Sequence, residues 1–343
     1  MESKAQEAVA GTGADPAPSE SPMTAPENIA VTLRAFASEE DARKLANIVC
    51  EYVRILSRSI NLKNLDGITI AHDYHQALLE LDRGKIYKTP LTASDGDVIG
   101  VAMTPSVWRD GALKSHIVIN ALFVQCLLEP MNDETRRAIY LIAHECAHVE
   151  VTSVFNQAFP GLIGSKTADL AWSLRWDGVM GCWDEYAASL ISAPYGLDPT
   201  DDYEACFLDA LESSRLKANG LICAYRTHAD VGRILEEVFD VYGALFKLAG
   251  YHLGNLKGRN IGWRDRPQSA AALEGHWFSP FFQRLSAALD AVIDSYGRWT
   301  DKTAFEAIGD ILEDVVADNG LFLKRQANAG LYVEIPFRTE TMP

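Results

Sequence analysis

The chain has 343 residues, with 47 acidic and 31 basic side chains and a formal net charge of −16. This charge argues against nucleic acid or an anionic membrane as the main partner, since both are themselves negative. No apolar run approaches the roughly 18 residues of a membrane-spanning helix, and no signal peptide is visible at the N-terminus. We therefore expect a cytoplasmic protein with one large domain or two smaller ones.

The six cysteines are scattered along the chain and form no C-x-x-C pair; they are Cys50, Cys126, Cys146, Cys182, Cys206 and Cys223. Most of them lie within apolar stretches. This usage is typical of a reduced protein in which cysteine packs as a small hydrophobic residue, and it agrees with a cytoplasmic location.

The N-terminal third of the chain is predicted to combine a tail with alternating strands and helices. Residues 1–28, rich in Ala, Pro, Glu and Ser, are predicted to form a disordered tail. Ordered structure is predicted to begin at 31–36, followed by a helix that starts after Ser38 and ends near Ser59. Further strands are predicted over 65–71, 97–103 and 114–120, with a helix over 74–81.

The most informative stretch is Arg137–Val151, which contains His144-Glu145-Cys146-Ala147-His148 in an almost unbroken apolar run. Asn132 can cap a helix here, and no Pro or Gly interrupts the chain before Phe159. In such a helix His144 and His148 share one face, where two imidazoles can hold one zinc ion. Glu145 lies about 100° around the helix and can act on a water molecule as general base.

The alternative is a purely structural role, in which this helix belongs to the core and its histidines only form hydrogen bonds to neighbours. Glu145 argues against this, because burying a carboxylate without a partner is costly. Glu150 is the one position near the motif where a polar residue stands in place of an apolar one.

A second motif, Glu185-Tyr186-Ala187-Ala188, follows a few tens of residues later. Together the two motifs resemble the gluzincin group of zinc metallopeptidases, and also the small intracellular zincins that cleave bacterial regulators. The resemblance implies that His144, His148 and Glu185 are the zinc ligands and that Glu145 is the general base. Ser189 stands where the family commonly has Asp or Asn to orient a ligand histidine. His228 is the rival for third ligand.

The resemblance also implies a fold and a substrate position. The expected fold is α+β and zincin-like, with a small mixed sheet and two metal-bearing helices in residues 29–200 and a mainly helical subdomain over 201–343. Four helices are predicted in that subdomain from the spacing of apolar residues, near 203–218, 229–251, 281–296 and 304–317, with a last strand over 330–337. The segment Ile117–Asn120 is either the sheet edge that pairs with a peptide substrate or an ordinary covered strand.

Peptide hydrolysis also needs a hydrogen-bond donor that stabilises the oxyanion. Four residues of the second half are candidates: Tyr225, His228, Tyr251 and His252. The sequence does not choose among them.

Two functions are consistent with these patterns. The first is a zinc-dependent metallopeptidase that acts on a peptide or protein substrate, with Zn²⁺ as cofactor. The second is a catalytically silent zincin scaffold that serves as a sensor or protein-binding module. Glu145 favours the enzyme, because a structural zinc site has no need of that carboxylate and would have a fourth protein ligand.

Overall fold

A computed structural model describes residues 21–86, 90–93, 100–165, 169–326 and 330–342. The fold is mixed α+β and mostly helical, with a small mixed sheet in its N-terminal part. The helices in these ranges are α1 (Glu39–Leu56), α2 (Tyr74–Glu80), α3 (Asp133–Ala158), α4 (Leu170–Ser192), α5 (Thr200–His228), α6 (Val231–Gly258), α7 (Pro267–Leu273), α8 (Ser279–Asp294) and α9 (Thr303–Asp318). The strands are β1 (Ala30–Arg34), β2 (Leu65–Ala71), β3 (Ala102–Met103), β4 (Ser106–Arg109), β5 (Ala112–Asn120), β6 (Phe322–Gln326) and β7 (Gly330–Glu334).

Strand β5 lies inside the sheet and not at its edge. It pairs in parallel with β2, where Ile117 is opposite Ile68, and in antiparallel fashion with β3 and β4 on its other side. The prediction that a substrate pairs with Ile117–Asn120 is therefore wrong, because both sides of that segment are already occupied. Within the described residues, β3 and β4 pair with no strand other than β5.

The two helices that cover one face of the sheet begin where the sequence predicts. The Ser38 side chain accepts a hydrogen bond from the Asp41 backbone N–H at the start of α1. Asn132 and Thr135 form a reciprocal capping box at the start of α3. Apolar residues of α1 and α3 then pack on β2 and β5 in one shared core, in which Cys146 is fully buried.

Glu150, the polar exception near the motif, has a structural partner. Its Oε2 atom accepts a hydrogen bond of 2.5 Å from the backbone N–H of Asn61, just after α1. Burial raises the pKa of Glu150, although this hydrogen bond opposes the shift. The side chain therefore links α3 to the chain that leads into β2.

The four helices predicted in the second half correspond to α5, α6, α8 and α9. Helix α6 packs directly on α4, because Gly250, Gly254 and Gly258 lie against the backbone of Cys182, Tyr186 and Leu190. These contacts advance in step along both helices, so α4 and α6 run in the same direction. The sequence missed α7 and strand β6, which pairs with β7 as a hairpin.

Part of the predicted N-terminal tail and part of one predicted strand, residues 1–20 and 97–99, lie outside the described residues. Of the remaining tail, Thr24 is held against the end of α1, where its hydroxyl donates to the Ser57 carbonyl at 2.7 Å. In the part of the chain that is described, no helix has both the length and the apolar character to cross a membrane.

Candidate metal centre

The structure brings His144, His148 and Glu185 together. The two histidines lie one turn apart on α3, and Glu185 reaches them from α4; all three are buried. Their candidate ligand atoms all lie within 4.8 Å of one another. The Nε2 atoms of His144 and His148 are 3.0 Å apart, and Glu185 Oε2 lies 3.2 Å from the first and 3.4 Å from the second.

This donor set fits a catalytic type of metal site. Two imidazole nitrogens and one carboxylate oxygen are the ligands of the His₂Glu class of zinc sites, in which the fourth position stays open. Among the described residues, no fourth His, Cys, Asp or Glu joins the group. The cluster could therefore hold a metal ion and leave one position free.

Each ligand side chain is held by a second residue. His148 Nδ1 lies 3.0 Å from Asp184 Oδ2, and Lys247 Nζ lies 3.1 Å from Glu185 Oε1. His144 Nδ1 faces Ser192 Oγ at 3.4 Å, and the Ser192 hydroxyl donates to the Ala188 carbonyl. Such contacts fix the ring orientation and leave both Nε2 atoms toward the metal position. The residue beside His144 Nδ1 is Ser192, and not Ser189, which stands where the family commonly has Asp or Asn.

The charged groups of the cluster shift the pKa values of two of its members in opposite directions. Burial by itself would lower the pKa of His148, but the carboxylates of Asp184 and Glu185 outweigh it and raise that pKa well above its ordinary value. Burial would raise the pKa of Glu185, but Lys247 and His148 outweigh it and hold that pKa well below the ordinary range. Positive charge is thus stabilised where the ligand atoms converge.

Glu145 is buried, borders the same cavity as His144, and has a hydrogen-bond partner in the connection between two strands. Thr104, in the connection between β3 and β4, donates its hydroxyl to Glu145 Oε2 at 2.6 Å. This hydrogen bond satisfies one carboxylate oxygen and restricts the rotation of the side chain. A buried carboxylate that is fixed next to a metal position is suited to the role of general base.

Of the four oxyanion candidates, only Tyr251 lies at the cluster. Its ring stacks on the His144 ring, with 5.5 Å between centroids. His228 is at the end of α5, where its Nδ1 accepts from the Asp230 backbone N–H, and Tyr225 packs against it. His252 forms a hydrogen bond with Ser269 within the helical core. His228 is therefore not the third ligand.

The cluster lies between two cavities. The first, of about 570 Å³, is bordered by His144, Glu145 and Tyr251. The second, of about 480 Å³, is bordered by Asp184, Glu185 and Lys247. The segment 100–106 runs past both, since Val101 and Ala102 line the first and Ser106 lines the second. An extended ligand beside this segment would have room on either side of the metal position.

Comparison with known proteins adds no assignment. No protein-family model, no curated protein and no solved structure gives a significant match to the chain.

Proposed function

We propose that this protein is a zinc-dependent metallopeptidase with a zincin-like fold. The observation that carries the proposal is the buried group of His144, His148 and Glu185, whose candidate ligand atoms lie within 4.8 Å of one another, together with buried Glu145, which borders the same cavity as His144. A site used only for structure would be closed by a fourth protein ligand and would not need that carboxylate.

Different residues of the chain would bind the metal and transfer protons during hydrolysis. His144, His148 and Glu185 would hold zinc, which when bound supplies Lewis acidity toward water and a substrate carbonyl. Glu145, oriented by Thr104, would take the proton of the attacking water and pass it to the leaving amine.

Tyr251 is the proposed donor to the oxyanion. Burial, and then the negative charge of Glu185, raise the pKa of Tyr251 well above its ordinary value. Its hydroxyl therefore keeps its proton and can donate a hydrogen bond to the oxygen that becomes negative.

The proposed substrate is an extended peptide that lies along segment 100–106, with residues in both cavities. We place the substrate beside this segment and not beside Ile117–Asn120, because segment 100–106 lies outside β5 in the sheet and borders both cavities. Backbone pairing of this kind gives affinity without demanding a particular sequence.

The experiment is to measure the zinc content of wild type, Glu145→Gln and Glu185→Ala after purification with added zinc. We expect one zinc ion per chain in wild type and in Glu145→Gln, and loss of zinc in Glu185→Ala. A library of peptides should then be cleaved by wild type and not by Glu145→Gln.

Two results would contradict the proposal in different ways. A wild-type protein that binds no zinc would leave the histidines as core residues of α3. A protein that binds zinc but cleaves no peptide or protein would support the silent scaffold instead.

A further inference from the structure

The second cavity extends away from the metal cluster along helix α4. Asp177, Gly181 and Asp184 are spaced four and three residues apart, so they share one face of the helix, and all three line the cavity. Two helical turns separate Asp177 from Asp184, which is about 10 Å along the axis. Phe155, Trp172 and Trp176 form an aromatic wall beside this face.

The two ends of the cavity differ in charge. At the metal end, Asp184 is paired with His148, and Lys247 with Glu185. At the far end, Asp177 is solvent-exposed at the cavity rim and forms no hydrogen bond or ion pair with another described residue. Partial burial and then the charge of Asp240 raise the pKa of Asp177, so no nearby cation offsets its charge.

Two further features mark the cavity as a place for a ligand. A Cβ atom added at Gly181 would meet no atom within 4 Å, so this glycine leaves the middle of the helix face open. Trp176 is only 5% exposed, and its indole N–H has no hydrogen-bond partner among the described residues. A bound peptide carbonyl would supply the acceptor that this donor lacks.

We infer that the second cavity receives an arginine side chain of the substrate, from a residue close to the cleaved bond. The guanidinium would pair with Asp177, and its apolar stem would pack beside Trp172 and Trp176, over whose rings the Lys302 ammonium lies at 5.2 and 4.8 Å. A purely apolar side chain would instead desolvate Asp177 without a partner, at a cost. Lysine fits the charge but lacks the planar fork that pairs with both oxygens of a carboxylate. The inference rests on the proposed peptidase function.

The test measures peptide binding to zinc-loaded Glu145→Gln, so that no cleavage occurs. The probes are short end-blocked fluorescent peptides in which one residue at successive positions is Arg, Leu or Glu, and binding is followed by anisotropy. At one position the Arg peptide should bind about tenfold more tightly than the Leu peptide. Adding Asp177→Asn should remove most of that difference and leave the Leu peptide unaffected.

Two further variants in the same background refine the result. Gly181→Leu should weaken the Arg peptide while zinc content and thermal stability are kept, because the new side chain enters open space. Glu212→Gln, at an exposed position of α5, should change nothing. Equal affinity for Arg and Leu peptides at every position would overturn the inference, as would an Asp177→Asn loss of equal size for all peptides.

Hydrolysis by wild type separates this inference from the proposed function. Cleavage without any preference for arginine would refute the arginine site and leave the peptidase standing. Arginine-selective binding without cleavage by wild type would refute the peptidase and leave the binding site standing.

Discussion

Asp184 Oδ2 lies 3.0 Å from Nδ1 of His148, and Asp184 directly precedes Glu185 in the chain. One turn of α4 thus supplies both a candidate ligand to the metal and the carboxylate that orients another ligand. The carboxylate of Asp184 lies beside Nδ1 of His148, so the Nε2 atom of that ring remains available to a metal ion.

Asp184→Asn should weaken zinc binding by about 10- to 100-fold, because the amide lacks the charge that raises the basicity of His148. The affinity is measured by competition with a chromophoric chelator. Asp209→Asn, at an exposed position of α5, is the control for the loss of one negative charge. Equal affinities of wild type and Asp184→Asn would show that the pair does not support the metal.

Tyr251→Phe should lower kcat about 100-fold with little change in KM, because the donor acts on charge that develops in the transition state. The phenyl ring keeps the stacking on His144, so zinc content should not change. Steady-state kinetics on a cleaved peptide gives both constants. Tyr225→Phe, far from the cluster, should behave as wild type; an unchanged kcat in Tyr251→Phe would remove this residue from the mechanism.

Gly254→Ala should destabilise the fold by about 2 kcal/mol or more, although alanine is the better helix former. Its Cβ would lie 2.1 Å from the Tyr186 carbonyl oxygen, so α6 would have to move away from the helix that carries Glu185. Gly220→Ala is the matched control, because its Cβ would meet nothing within 4 Å, and it should stabilise by up to about 1 kcal/mol. Urea unfolding of both variants is the measurement, and equal effects would contradict the close packing of α4 and α6.

His252 should make stability depend on pH in the acid range. Burial lowers its pKa to about 4, and protonation would place a charge at Nδ1, which has no partner among the described residues. The stabilising contribution is complete above the unfolded value of about 6.5 and is lost as the pH falls toward 4, because only the unfolded chain takes up the proton there. The total loss in the free energy of unfolding is about 3 kcal/mol.

His252→Gln should abolish this component. Urea unfolding at pH 7 and pH 4.5, with chelator present so that metal release does not contribute, gives the free energy of unfolding. The loss between the two pH values should be about 2–3 kcal/mol smaller in the variant than in wild type. Parallel pH profiles of the two proteins would contradict a neutral His252 in the fold.

Local signals predicted much of the secondary structure well. Ser38 and Asn132 cap the helices they were expected to cap, since capping depends on atoms within three residues. The position of β5 in the sheet was not predictable in this way. A strand with apolar residues on both faces has the same sequence pattern whether its edge is free or covered.

The sequence by itself determined that His144 and His148 share one face of a helix with Glu145 beside them, because an i, i+4 spacing fixes this once the helix forms. The second motif added Glu185 as the predicted third ligand, and only the tertiary structure decided which other residues meet this group. Glu185 and Asp184 come from α4, Tyr251 from α6 and Thr104 from the connection between β3 and β4. Their approach depends on how separate elements pack, through contacts such as those of Gly250 and Gly254 with α4. The spacing of residues within one helix does not determine how closely another helix packs against it.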